Sequence, residues 1–172
     1  VTYGLTVEPT ASYWDAGEYI STSAKLQVGH PPGAPFFQMM GAVFSLFASN
    51  NESIAIAVNF LSVVSSAFVI LFLFWSTTLF LKKISKKNNF TNDTNILLSS
   101  SICGLAFTFS DSFWFNAVET EVYALAMLFL SATFWCGLRW EKDFNNKRGD
   151  KWLLLICFLM SGCPDTNTWE SY

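Results

Sequence analysis

The chain is 172 residues long and 52% apolar, and its ten basic and thirteen acidic side chains leave a formal charge of −3. A soluble domain carries roughly a quarter charged residues; at 13% charged and with 18 phenylalanines, this chain is made for a solvent other than water alone. The slightly acidic balance offers no basic footprint for a nucleic acid, and Cys103, Cys136, Cys157 and Cys163 stand at no metal-ligand spacing, so they read as small apolar side chains.

From the N-terminus, residues 1–7 are largely apolar and read as the end of an earlier span, broken at Pro9 and Thr10. Beginning at Val1 without a basic n-region or a small-residue cleavage site, the chain reads as a piece of something longer, with no signal peptide. Ser12 precedes Tyr13-Trp14-Asp15-Ala16-Gly17-Glu18 and is placed to cap a helix whose first turns carry acids, where the helix dipole favours them. Asp15 and Glu18 stand three apart and share one helix face. Pro31-Pro32-Gly33 should end that helix. Residues 36–48, rich in Phe and Met with almost no polar face, suit a helix lying in the headgroup region.

Residues 54–81 run 28 positions without a charge. A hydrocarbon core about 30 Å thick needs about 20 helical residues, so this run can span with tilt to spare. Further apolar runs cover about 96–115, 122–140 and 152–163, the last short and broken at Pro164. The expected fold class is therefore all-α: a polytopic transmembrane helical bundle occupying 1–163, with an external loop over 8–53 that carries interfacial helices. The polar tail 164–172 looks foreign to that fold.

Lys and Arg in short loops set orientation. Lys82, Lys83, Lys86 and Lys87 follow the first span; Arg139, Lys142, Lys147, Arg148 and Lys151 follow the third. Both loops should be cytoplasmic. The segment before Ile54 and the turn at Glu119-Thr120-Glu121 are acidic, so both belong on the opposite face. Of three glycosylation-type triplets, at Asn51, Asn89 and Asn92, the last two fall on the cytoplasmic side and are set aside. The Lys- and Asn-rich loops favour a bacterial inner membrane over the endoplasmic reticulum.

Candidate chemistry rests on few residues. Asp15 and Glu18 sit beside Tyr13, Trp14 and Tyr19, whose apolar surface should press on the acids and raise their pKa toward a base's working range; their plain alternative is a solvated helix cap. His30, the one histidine, sits between Gly29 and two prolines and is a candidate contact for substrate or phosphate, against an ordinary structural role. Gly29 and Gly33 are there for backbone geometry. Asp111 lies next to a span, where an ionisable group faces a cavity or marks a helix end. Glu119 and Glu121, two apart, could reach one divalent cation, magnesium or manganese, or could cap the following span.

Three motifs in order, Ser12-Tyr13-Trp14-Asp15-Ala16-Gly17-Glu18-Tyr19-Ile20, then Val28-Gly29-His30-Pro31-Pro32-Gly33-Ala34-Pro35, then Phe109-Ser110-Asp111-Ser112-Phe113-Trp114-Phe115-Asn116-Ala117-Val118-Glu119-Thr120-Glu121, resemble the N-terminal part of the membrane family called domain of unknown function 2723, the transmembrane protein 260-like O-mannosyltransferases. The resemblance covers about residues 1–162. It implies a multispanning GT-C-type glycosyltransferase that takes sugar from a polyprenyl-phosphate carrier and acts outside the cytoplasm on a protein acceptor. By position it makes Asp15 the catalytic carboxylate with Glu18 beside it. By position it also makes Glu119 and Glu121 donor contacts, or the ligands if a metal is used; Trp14, His30 and Asp111 join them as candidate substrate contacts on the reading of the residues themselves. The rival is a non-catalytic membrane component whose acids bind a cation or a lipid carrier, or a fragment inert by itself.

Overall fold

A computed structural model describes residues 1–30, 34–88, 92–144 and 149–162. The helix stop expected at Pro31-Pro32-Gly33, the Asn89 triplet, Lys147, Arg148, Cys163 and the tail 164–172 lie outside the described residues. All regular structure among the described residues is helical. In order come α1 (Thr2–Leu5), α2 (Ala16–Lys25), α3 (Pro35–Ser45), a 3-10 turn (Asn51–Ser53), α4 (Ile54–Asn88), α5 (Asp93–Thr108), α6 (Asp111–Val118), α7 (Val122–Asp143) and α8 (Gly149–Gly162).

The uncharged run becomes α4, 35 residues and therefore about 50 Å long. It is the axle of the fold, packing against α7, α5, α3 and α6. Its buried residues mix apolar side chains, Val58, Leu61, Val63 and Val69, with four serines, Ser62, Ser65, Ser66 and Ser76. Small residues let helices approach closely where lipid supplies no hydrophobic drive between them. Leu105, Leu130, Phe134 and Phe158, by contrast, point outward and exposed, as side chains do when the surrounding solvent is hydrocarbon. By length and composition α4 and α7 can each cross a membrane.

The second expected span is broken. α5 and α6 meet at 67° around Phe109 and Ser110, so this pair is one bent span or a re-entrant loop. Ser110 is extended (φ −72°, ψ 135°) and starts α6 with Asp111 in its first turn. A helix end leaves carbonyls unpaired; the hydroxyl of Tyr3 donates to the Thr108 carbonyl at 2.8 Å. Tyr3 itself is buried edge-on against Phe113 and Trp114, so the first residues, read as the tail of an earlier span, pack under the bend. The fourth run, read as a span over 152–163, is helical as α8 over its described residues, Gly149–Gly162.

α3 also departs from a helix lying free at the interface. Phe37, Gln38 and Gly41 are buried, and Phe37 joins Tyr19, Leu61, Val122 and Leu125 in a core that clamps α2 and α3 onto α4 and α7. A Cβ on Gly41 would stand 2.5 Å from Ser23 Oγ and 2.9 Å from Ser23 Cβ, so glycine is what allows α2 and α3 to cross here.

Charge separates along the bundle. The acidic segments lie at the start of α4, where the Glu8 N–H donates to the Val118 carbonyl at 2.9 Å. The basic residues lie at its other end, where Lys83 pairs with Glu141 and Lys82 stands 4.0 Å from Asp93. Arg139 is not a free loop charge: its guanidinium lies 5.8 Å from the ring of Trp135 and 5.2 Å from that of Trp152, joining α7 to α8 by cation–π contact.

Candidate functional site

The first acidic segment enters α2 through a strained turn. Asp15, not Ser12, occupies the cap position, and it makes no side-chain cap bond; the Ser12 hydroxyl is buried with no partner among the described residues. Trp14 has φ 64°, a left-handed backbone that costs a residue with a Cβ about 1–2 kcal/mol and that clusters at functional sites. Its side chain is 91% exposed, and Tyr13 also faces out. Of the expected aromatic cover over Asp15 and Glu18, Tyr13 and Trp14 therefore turn outward, and only Tyr19, 7% exposed, stays packed near the acids.

Glu18 corrects the expectation of a raised carboxylate. Its Oε1 accepts the backbone N–H of His30 at 2.6 Å, and its Oε2 meets His30 Nδ1 at 2.9 Å. The backbone N–H first, then the ring, hold the Glu18 carboxyl below the usual range. In return the carboxylate raises the His30 pKa, which leaves Nε2 of a more readily charged ring to meet a ligand. α2 ends at Lys25 through Leu26 in the left-handed region, φ 49°, before the prolines are reached. The chain then doubles back so that His30 returns over Glu18. A Cβ on Gly29 would lie 2.9 Å from Gln38 Nε2 and 3.0 Å from Glu18 Oε1; its smallness is what lets the strand of backbone close on the carboxylate.

The second acidic segment is an extended corner between α6 and α7. Glu119 is only 5% exposed and Thr120 is fully buried. Glu121, partly buried, occupies the cap position of α7. The α7 dipole favours its anion, but burial first, then the charges of Glu119 and Asp15, push the Glu121 carboxyl up to about 7. Tyr19 reports the same convergence. Burial first, then the fields of Glu121, Asp15 and Glu18, push its hydroxyl up to about 12. Residues about a hundred positions apart thus act on one tyrosine, so the two acidic motifs lie within electrostatic reach of each other.

Asp111 does not join them: it is exposed at the start of α6, with no hydrogen bond or ion pair among the described residues. Among those residues the group with three ligand atoms within 4.8 Å of one another is Asp15, Glu18 and His30; Glu119 and Glu121 belong to no such group. Sequence reasoning missed Tyr19 as the meeting point, and it missed Asn59 and Thr120, both buried beside the acids. The signal for Asn59 was available, since it is the one amide inside the uncharged run. Nothing in the sequence marked Thr120 apart from its two acidic neighbours.

Two helices long and apolar enough to cross a membrane, with acidic side chains gathered at one end of the bundle, one raised to about 7 and one lowered, define an all-helical domain of membrane type. The chain belongs to the family described as Protein O-mannosyl-transferase TMEM260 N-terminal domain, which matches it over residues 15–162. It is similar to Protein O-mannosyl-transferase tmem260 of Dictyostelium discoideum, with 28% identity over 155 residues. That alignment covers 86% of this chain and 17% of the relative, so the chain spans a minor part of the length of the curated protein it matches. No solved structure matches it. The family read from the three motifs is thereby borne out.

Proposed function

We propose that this domain belongs to a GT-C-type membrane glycosyltransferase that moves a sugar, mannose, from a polyprenyl-phosphate carrier in the bilayer to a Ser or Thr hydroxyl of a protein on the extracytoplasmic face. Family membership supports the reaction class. The observation that carries the assignment of residues is the convergence of Asp15 with Glu121 on Tyr19 at the end of the bundle away from the lysines.

In this reading Asp15 takes the proton of the acceptor hydroxyl as that oxygen bonds to the anomeric carbon. The bond from that carbon to the carrier's phosphate oxygen breaks, and polyprenyl phosphate leaves with the electron pair. Glu18, fixed by His30, orients the acceptor and Asp15, while Nε2 of His30 faces the leaving phosphate. Exposed Trp14 offers a face to the sugar, Glu119 and Glu121 hold its hydroxyls, and Asp111 contacts the donor further out. A divalent cation, magnesium or manganese, would neutralise the carrier phosphate, with Asp15, Glu18 and His30 as the ligands in closest array. The deciding measurement is Asp15→Asn in the full-length enzyme, assayed with polyprenyl-phosphate mannose; undiminished turnover removes Asp15 from the mechanism. Retained carrier binding with no sugar transfer even in the unaltered protein would favour the non-catalytic rival.

One observation favours exchanging two roles. A general base works best with a pKa near the working pH, and Glu121 is the carboxyl pushed up to about 7. If Glu121→Gln abolishes turnover while Asp15→Asn only weakens it, Glu121 is the base and Asp15 the group that tunes it.

A further inference from the structure

Asn59 sits in the second turn of α4, 1% exposed, where a buried polar side chain must find partners within the protein. Its amide nitrogen donates to two carbonyls of the N-terminal segment, Glu8 at 2.7 Å and Thr10 at 3.1 Å. Its carbonyl oxygen accepts the Thr120 hydroxyl. Two acceptors on one side and a donor on the other fix which way the amide points, and they occupy both of its donors. Around it the Glu8 N–H closes on the Val118 carbonyl. Glu8 and Thr10 lead into Asp15; Thr120 separates Glu119 from Glu121. One side chain on the longest helix thus holds both acidic segments by three bonds, two of them to backbone that no side-chain substitution elsewhere could replace.

We infer that Asn59 is a positioning residue: with Thr120 it forms a buried clamp that sets the distance between the Asp15–Glu18 segment and the Glu119–Glu121 segment. Neither residue reaches substrate. The consequence for sugar transfer rests on the proposed function, whereas the consequence for geometry does not. Held segments pre-organise the carboxylates, and misplacing reacting groups by about 1 Å costs on the order of a hundredfold in rate. Leucine is the near-isosteric replacement that breaks both arms. Asn59→Asp keeps the acceptor for Thr120 and sets an oxygen against the Glu8 and Thr10 carbonyls, and Thr120→Val breaks the other arm alone. Thr120→Ser keeps every bond.

The test has two readouts on the full chain in membranes. In a background with the four native cysteines replaced by serine, a Glu8→Cys, Val118→Cys pair is oxidised and the crosslinking rate measured. Asn59→Leu and Asn59→Asp should slow it about tenfold or more, and Thr120→Val by less. Transfer from polyprenyl-phosphate mannose should then fall about tenfold to a hundredfold in kcat with KM for the donor nearly unchanged, and Thr120→Ser should restore it where Thr120→Val does not. If Asn59→Leu fails to accumulate, the two single-arm variants carry the test. Equal crosslinking rates in all variants overturn the clamp; so does a folded Asn59→Asp or Thr120→Val that transfers sugar at the unaltered rate. Slowed crosslinking in a protein that transfers no sugar even when unaltered leaves the clamp standing and overturns the proposed function instead.

Discussion

Replacing Glu121 by Gln should make the protein more stable at alkaline pH and change it least in mild acid. Folding raises this carboxyl from 4.5 to about 7, so the folded chain holds the proton more tightly than the unfolded one. That advantage is complete below pH 4.5 and is lost as pH climbs through about 7. One pKa unit corresponds to about 1.4 kcal/mol. The full shift would therefore be worth about 3 kcal/mol, and solvent screening of a partly buried group brings the expected loss to about 1–2 kcal/mol. For a chain of this size that amounts to roughly 3–6 °C in Tm. The assay is tryptophan-fluorescence melting in detergent at pH 5, 6, 7 and 8, with chelator present. Glu121→Gln and the unaltered protein should lie closest at pH 5, where only a small part of the advantage has gone, and separate by that margin at pH 8, with the variant higher. Asp15→Asn should close only a small part of the gap, since burial outranks the Glu119 and Asp15 charges as the cause. A gap of equal size at pH 5 and pH 8, or a variant less stable at pH 8, would refute the claim that this acid is buried among like charges.

His30 is the only histidine, so its ring protons can be followed alone by NMR; it should titrate above the ordinary histidine value, and Glu18→Gln should bring it down. The stabilisation from this pair should fade at both ends, in acid as Glu18 is protonated and in base as His30 loses its proton, which melting at a series of pH values will show. Gly41→Ala forces a methyl to within 2.5 Å of Ser23 Oγ and should cost about 1–3 kcal/mol by overpacking, read as a lower Tm. Trp14→Asn removes an exposed ring from a left-handed turn that Asn tolerates, and should raise stability by about 1 kcal/mol; a lower Tm would mean that Trp14 makes contacts its exposure hides.

Much of the architecture was legible. A 28-residue uncharged run reads as a long helix able to cross a membrane, and the structure makes it one; the lysines behind it and the acids ahead of it announced which ends belong together. The glycine beside His30 was read for backbone geometry, and a Cβ there would indeed meet Glu18 and Gln38. The bend between α5 and α6 was not legible, because Thr108-Phe109-Ser110-Asp111 contains no proline or glycine, and the break is made affordable by Tyr3, more than a hundred residues away, which takes the orphaned Thr108 carbonyl.

The site divides along the same line. Which residue types could do chemistry, and that they sit outside the apolar runs, follows from local sequence, since hydrophobic patterning and helix-cap chemistry act over a few residues. Which acid is perturbed does not. Tyr13 and Trp14 stand next to Asp15 in the chain but turn outward, while the backbone N–H and then the ring of His30 depress Glu18 from twelve residues off, and burial, then Glu119 and the sequence-distant Asp15, raise Glu121. Burial and Coulomb fields depend on distance through space, and only the crossing of α2, α4 and α7 fixes those distances.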